Sequence, residues 1–300
     1  VAGVKCDLCP RKCLVDRKKG EKGICGQTEN LKVARAALHF WEEPCISGDA
    51  GSGAVFFSGC PLHCVFCQNE NIANGTVGKE ISLERLVDIF LELQEKRANN
   101  INLVTPGHFV PQIVKALDQA RKEGLTLPVV YNTSSYETVD TIKMLEGYVD
   151  IYLPDFKYMS PVLSKKYSHA PDYAEVAKAA IAEMVRQTGK AVFVNGDEDN
   201  LILSGTIVRH LTLPGCMADS MQILKYLHDT YGDMIYISIM NQFTPLSNLE
   251  KYPELNRRIT DEEYETLVDY AIEIGIENGF IQEGNTAEES FIPAFDCEGV

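Results

Sequence analysis

From residue 53 onward, short runs of β-branched and aromatic residues alternate with longer segments of helical period, and the strand comes first in each pair. "GAVFFSG" (53–59), "INLVT" (101–105), "LPVVYN" (127–132), "VDIYLPDFK" (149–157), "GTIVRHLTLP" (205–214) and "MIYISIMNQF" (234–243) read as six strands. Helical periods follow them over 82–97, with Ser82 as N-cap, and over about 110–122, 136–146, 172–188 and 218–231. A last helix opens at the capping box Thr260 to Glu263 and runs to about Gly275. Repeated βα units lay their strands parallel. Six of them fall short of the eight that close a full barrel, so the pattern predicts an α/β fold with a partial parallel (β/α)6 barrel, open on one side. A doubly wound sheet is the alternative. The stretch 242–259 reads as one long irregular loop, and no internal repeat appears.

Composition narrows this picture. A chain of 300 residues with 45% hydrophobic content buries a sizeable core. No apolar stretch reaches the roughly 20 residues of a membrane span, and "VAGVKCDLCPRKC" lacks the apolar centre of an export signal, so a cytoplasmic protein is expected. Ten cysteines in a reducing compartment point to metals or catalysis rather than to disulfides. Seven of them fall into two groups: Cys6, Cys9, Cys13 and Cys25, then Cys60, Cys64 and Cys67. Cys45, Cys216 and Cys297 stand alone and read as small buried hydrophobes.

Charge is uneven. The net −15 argues against the whole surface binding nucleic acid, and with no apolar span no membrane partner is expected. Residues 1–35, however, carry nine Lys or Arg against four Asp or Glu, a local +5 that leaves −20 for the remainder. That segment is either a solvated lysine-rich loop or a docking patch for an acidic partner.

The loop "SGCPLHCVFCQN" (58–69) follows the first strand and spaces its thiols C-x3-C-x2-C. A closed zinc site takes four ligands, and His63, next to Cys64, is poorly placed to be the fourth. An iron-sulfur cube on three cysteines keeps one iron open for a cofactor. The N-terminal group, C-x2-C-x3-C-x11-C, has four ligands with Pro10, Gly20, Gly23 and Gly26 to shape its turns, which suits a closed metal site. Zinc and an auxiliary 4Fe-4S cluster both satisfy four thiolates, and free thiols remain the plain alternative. Residues 1–50 therefore read as a small cysteine-rich, metal-binding segment and 51–300 as the barrel with a C-terminal extension.

With Phe66 just before its last cysteine, the three-thiol loop resembles the signature of the radical S-adenosylmethionine (radical SAM) superfamily. The whole chain is most similar to its PflX-type, pyruvate formate-lyase activating enzyme-like subgroup. The likeness rests on "CDLCPRKCLVDRKKGEKGICG", "GAVFFSGCPLHCVFCQNENI", "NLVTPGHFVPQI", "YNTSSYE", "LPDFKY", "IVRHLTLPG", "MNQFTPL" and "GFIQEG". Gly107 stands where that pattern usually has Thr, and Ser135 where Gly often stands. The resemblance implies a 4Fe-4S cluster on Cys60, Cys64 and Cys67. It also implies S-adenosylmethionine bound near Phe66, Thr105, Gly107, Asn132, Ser134, Asp155, Lys157 and Arg209, the last suited to pairing with a carboxylate. His108 and His210 are expected to be structural, because hydrogen abstraction needs no acid or base.

Two function classes follow. One is an oxidoreductase that makes a 5'-deoxyadenosyl radical for hydrogen abstraction, acting on a protein such as a glycyl radical enzyme, or else on a small molecule or a nucleic acid. Its expected partner is an acidic electron donor, a flavodoxin or a ferredoxin. The other is a non-enzymatic zinc module whose basic N-terminus binds RNA or protein.

Overall fold

The computed structural model describes residues 5–197, 200–246, 249–282 and 293–300. Its ten strands are β1 (Leu31–His39), β2 (Ser52–Phe57), β3 (Lys79–Ile81), β4 (Ile101–Val104), β5 (Val129–Thr133), β6 (Ile151–Pro154), β7 (Val192–Phe193), β8 (Ile202–Leu211), β9 (Tyr236–Met240) and β10 (Gly279–Ile281). They form one sheet in the order β10-β9-β8-β6-β5-β4-β2-β1-β3, with β7 paired to β8. Every pair from β2 through β4, β5, β6, β8 and β9 to β10 is parallel. β10 and β3 end the order without meeting, so this is the open parallel α/β barrel that the pattern predicts.

The six strands read from the sequence are β2, β4, β5, β6, β8 and β9. Their runs are continuous rather than alternating because both faces are covered, and every residue of β2, β4, β6 and β9 is buried. The helix Val110–Lys122 has the expected bounds, and Leu83–Glu95 is capped by Ser82, whose side chain accepts from the Arg85 amide. Thr260 and Glu263 form the capping box ahead of Asp261–Glu273. On its inner face Leu83–Glu95 buries Leu86, Val87, Ile89, Phe90 and Leu93, each worth about 1.5–3 kcal/mol of removed apolar surface.

Three departures have local causes. The helix expected over 136–146 is only Val139–Lys143, because Thr138 caps it and the preceding Tyr136 and Glu137 turn inward to Asp172, Tyr131 and Thr133. An additional helix, Pro161–Ser168, precedes Tyr173–Thr188, with Ser160 as cap and Pro161 at its first position. The 242–259 stretch contains two 3-10 turns, Leu249–Lys251 and Pro253–Leu255, while 247–248 lie outside the described residues. β1 was not read from the sequence. It lies within residues 1–50 yet joins the main sheet, antiparallel to β2 and β3, and residues 293–300 run along it through Cys297 N to Ala34 O (3.1 Å) and Ala36 N to Glu298 O (2.9 Å).

The two largest apolar clusters among the described residues flank the parallel strands. One lies under Leu83–Glu95 and Val110–Lys122. The other is rich in tyrosine and packs beneath the three-thiol loop, where Phe66 meets Tyr158, Tyr167 and Phe243 at centroid separations of 6.4, 6.4 and 6.0 Å. Each contact is edge-on, as ring quadrupoles prefer.

Candidate active site

The three-thiol loop leaves the C-terminal end of β2, the end at which parallel barrels gather their chemistry. Gly59 has φ +92°, and a Cβ there would stand 2.5 Å from the Cys25 carbonyl, so only glycine permits this approach. Cys67 N donates to Cys64 O at 3.1 Å, closing a tight turn around Val65 and Phe66, and Val65 N donates to Tyr167 O at 2.9 Å. Cys60 Sγ accepts from the Leu62 amide at 3.4 Å, and Cys64 Sγ accepts from Ser168 Oγ at 3.1 Å. Burial, then the neighbouring thiols, pushes Cys60 up to about 11 and Cys67 up to about 12. Such thiols are neutral by themselves and need a bound metal to become thiolates. His63 turns away, with Nε2 2.7 Å from Ile24 O, as its poor placement for a metal predicts.

A cavity of about 610 Å³ opens beside this loop. Cys60, Cys64, Phe66 and Cys67 line it, and the strand ends supply Thr105, Asn132, Ser134, Asp155, Lys157 and Arg209. Residues separated by up to 149 positions thus share one wall. Thr105 has φ +55°, unusual for a β-branched residue and costly enough that the surrounding structure must enforce it. Lys157 Nζ lies 2.5 Å from Asp155 Oδ2. Burial alone would lower this lysine, but Asp155, followed by Cys64, lifts it above its ordinary value, so it remains a cation beside the thiols.

Gly107 is not on the cavity wall. It packs against Glu137, and a Cβ at 107 would come within 2.9 Å of the Glu137 carboxyl carbon. Glu137 is buried and held by Tyr131 Oη at 2.6 Å and by Thr133 Oγ1, with burial raising its pKa. The carboxyl fills the room that a threonine would take. Ser135 has φ +63°, the left-handed conformation that explains glycine in the resembling pattern, and its hydroxyl donates to Asp155 O at 2.6 Å.

Arg209 meets carboxylates from within the chain. Its Nε donates to Glu43 Oε1 at 2.9 Å, and its NH2 group bonds Glu42. Burial would lower Arg209, and Glu42 and Glu43 hold it well above its ordinary value. Glu42 and Glu43 are charged wall residues that sequence reasoning missed, and the polar Gln68, Asn69, Ser238 and Gln242 line the same cavity. The two glutamates sit in the turn after β1, before Pro44, in a "WEEP" segment that carries no motif of its own. His210 is structural: Nδ1 is 2.8 Å from Phe156 O, Nε2 is 2.8 Å from Ser220 Oγ, and burial lowers it to about 4. His108 Nε2 is 2.6 Å from Ser58 O, and burial lowers it to about 3.

The N-terminal thiols are near enough to influence one another. Burial pushes Cys9 up to about 12, with smaller contributions from Cys25, Cys13 and Cys6, and raises Cys25. Cys13 Sγ accepts from the Ile24 amide at 3.3 Å. Among the described residues, no three His, Cys, Asp or Glu side chains close on a single ion. The basic patch is smaller than the count of charges suggests. Arg17 is buried, Arg11 bonds the carbonyls of Pro61, Ser168 and His169, Arg35 pairs with Asp296 and Glu298, and Lys32 reaches Gly75 O. Lys5, Lys12, Lys18, Lys19 and Lys22 remain on the surface, Lys19 beside Asp16 at 3.5 Å.

The sequence model described as "Radical SAM superfamily" matches residues 54–200, just under half of the chain. Uncharacterized protein MJ0674 of Methanocaldococcus jannaschii is 27% identical over 275 residues, 89% of this chain and 74% of that protein. Streptococcus suis SuiB bound to S-adenosylmethionine aligns with a TM-score of 0.52 at 13% identity, over 79% of this chain and 51% of SuiB. HydG, a maturase of the [FeFe]-hydrogenase, aligns at 0.50 and 14%, over 75% of this chain and 50% of HydG. The chain thus spans about half the length of these two solved proteins, and at such identities they share its fold alone. No helix among the described residues is long and apolar enough to cross a membrane. Of the stretches that carry the subgroup likeness, the end of "GFIQEG", residues 283 and 284, lies outside the described residues.

Proposed function

We propose that this protein binds a 4Fe-4S cluster on Cys60, Cys64 and Cys67 and S-adenosylmethionine in the adjoining cavity, and that it abstracts hydrogen from a substrate. The observation that carries this reading is the shared wall: three thiols and the polar ends of β4, β5, β6 and β8 around one cavity. The donors fit the cluster, because three thiols without a fourth ligand leave one iron to take a cofactor. When bound and reduced, such a cluster supplies the electron that cleaves S-adenosylmethionine to methionine and a 5'-deoxyadenosyl radical. The chain's own residues do the rest. The tyrosine-rich cluster holds Phe66 and with it the loop. Thr105, Asn132 and Ser134 offer hydrogen bonds, and the Asp155–Lys157 pair offers both charges to a zwitterionic ligand.

The finer assignment is activation of a glycyl radical enzyme, supported by the end-to-end likeness to the activating-enzyme-like subgroup. A small molecule or a nucleic acid is the second reading of the substrate. The N-terminal cysteines hold a metal, zinc or an auxiliary iron-sulfur cluster, supported by their C-x2-C-x3-C-x11-C spacing and by the influence that Cys6, Cys13 and Cys25 exert on Cys9. Reduction comes from an acidic carrier such as a flavodoxin or ferredoxin, supported by the exposed lysines at positions 12, 18 and 22 in a chain of net charge −15.

Anaerobic reconstitution with iron and sulfide, followed by dithionite and S-adenosylmethionine, tests the core of this reading. The expected result is a brown protein that forms 5'-deoxyadenosine. A colourless protein carrying zinc alone would favour a structural metal module, and S-adenosylhomocysteine as the sole product would indicate methyl transfer.

A further inference from the structure

The N-terminal cysteine segment has a role that its own ligands do not explain. Its fork-shaped Arg11 guanidinium donates from Nε to Pro61 O at 2.9 Å, from NH1 to His169 O at 2.6 Å and from NH2 to Ser168 O at 2.9 Å. Pro61 follows Cys60 in the chain, and Ser168 is the residue whose hydroxyl donates to Cys64 Sγ at 3.1 Å. One side chain therefore ties together both supports of the three-thiol loop, while its plane covers the Tyr136 ring at 5.1 Å.

Further contacts run the same way. The Cys25 carbonyl stands over Gly59, where no side chain fits, and Ile24 O meets His63 Nε2 at 2.7 Å. Thr141 Oγ1 donates to Leu8 O at 2.7 Å, holding the segment's first turn to the barrel. Both arms begin at thiols. Arg11 lies between Cys9 and Cys13, and the carbonyl over Gly59 is that of Cys25 itself. A metal on those sulfurs would fix the two backbone turns from which Arg11 and the Cys25 carbonyl reach the loop.

We propose that the N-terminal cysteine segment is a clamp that sets the geometry of the three-thiol loop, with Arg11 as its positioning residue. Arg11 touches neither thiol nor cavity; it acts through Pro61 O and Ser168 O. The metal-dependent part of this proposal rests on the metal reading given above, whereas the Arg11 contacts stand without it. Lysine is a poor substitute, since a single ammonium cannot span three carbonyls in a plane.

The experiment compares wild type with Arg11→Ala, Arg11→Lys and the milder Thr141→Val, all as full chains. Hydrogen exchange of the 58–69 peptide in protein without cofactor is expected to quicken about tenfold in Arg11→Ala, the scale of a lost charge-assisted contact. Arg11→Lys and Thr141→Val should each quicken it about threefold. In reconstituted protein, the S-adenosylmethionine concentration that half-shifts the spin-resonance signal of the reduced cluster should rise about tenfold in Arg11→Ala at unchanged N-terminal metal content. Equal exchange in Arg11→Ala, or in Thr141→Val should Arg11→Ala not fold, overturns the clamp. Wild type that holds no metal at Cys6 to Cys25 overturns the metal reading alone, because exchange still reads the Arg11 contacts.

Discussion

Arg209 on β8 and Glu43 after β1 form an ion pair across the cavity wall, with Nε to Oε1 at 2.9 Å and side chains 11% and 5% exposed. Burial would raise Glu43, but Arg209 more than offsets it and holds the carboxyl below its usual range. Glu43→Gln leaves one guanidinium beside Glu42 alone. Removing one member of a buried pair costs about 3–5 kcal/mol, and the remaining partner Glu42 should bring this loss to the lower end. Urea midpoints measure it, and the double variant Glu43→Gln with Arg209→Met should recover much of the loss. An unchanged midpoint for Glu43→Gln would show that the pair contributes little.

The two cysteine groups should empty separately. Cys64→Ala is expected to abolish cluster absorbance from the barrel loop while metal on the N-terminal cysteines persists, and Cys9→Ala should do the reverse. Metal analysis beside the visible spectrum distinguishes them. If each variant emptied both sites, the groups would be one centre.

Asp155→Asn removes the charge that raises Lys157, so burial should then lower this lysine. Formation of 5'-deoxyadenosine under dithionite is expected to fall about 10–100-fold, the range for a lost charge-assisted contact at a reacting ligand. A rate equal to wild type would remove the pair from the site.

Acid should destabilise the fold through its buried histidines. His210 and His108, with values of about 4 and about 3, stay neutral when folded, while the unfolded chain binds protons below about pH 6.5. The stability that each contributes is complete above that pH and is lost progressively as pH falls toward 4. Between pH 7 and 5 the loss for His210 is about 2 kcal/mol. Urea unfolding at both values measures it, and His210→Gln should reduce the difference by about that amount. A pH-independent midpoint would contradict the neutral assignment.

The exposed lysines should steer an acidic carrier. Steering by surface charge fades over a Debye length of about 10 Å at 0.1 M salt, so cluster reduction by flavodoxin should slow as salt rises. Lys18→Glu with Lys22→Glu should slow it at low salt and flatten the dependence, leaving dithionite-driven cleavage unchanged. Stopped-flow rates indifferent to both changes would assign the lysines another role.

Much of the barrel was legible because its signal is local. Continuous apolar runs such as "GAVFF" and "IYISIM" allow few conformations other than a strand buried on both faces, and Ser82 and Thr260 mark helix starts through contacts within one turn. β1 was missed because "LKVARAALH" is short of β-branched residues, and only its pairing with β2 and β3 and with the chain's last residues makes it a strand. Arg209 was legible as a group seeking a carboxylate. Its partners were not, since Glu42 and Glu43 lie 167 and 166 positions away.

By itself the sequence determined the six strands β2, β4, β5, β6, β8 and β9, the two cysteine spacings and the polar residues at successive strand ends, because each depends on neighbours within a few positions. The tertiary structure alone decided that Gly107 faces Glu137 instead of the cavity and that Glu42 and Glu43 join its wall. It also decided that Arg11 and Arg17 turn inward, leaving a smaller basic surface. These outcomes depend on contacts distant in sequence, where burial and the need to pair each buried charge select the partner, and no local pattern records that selection.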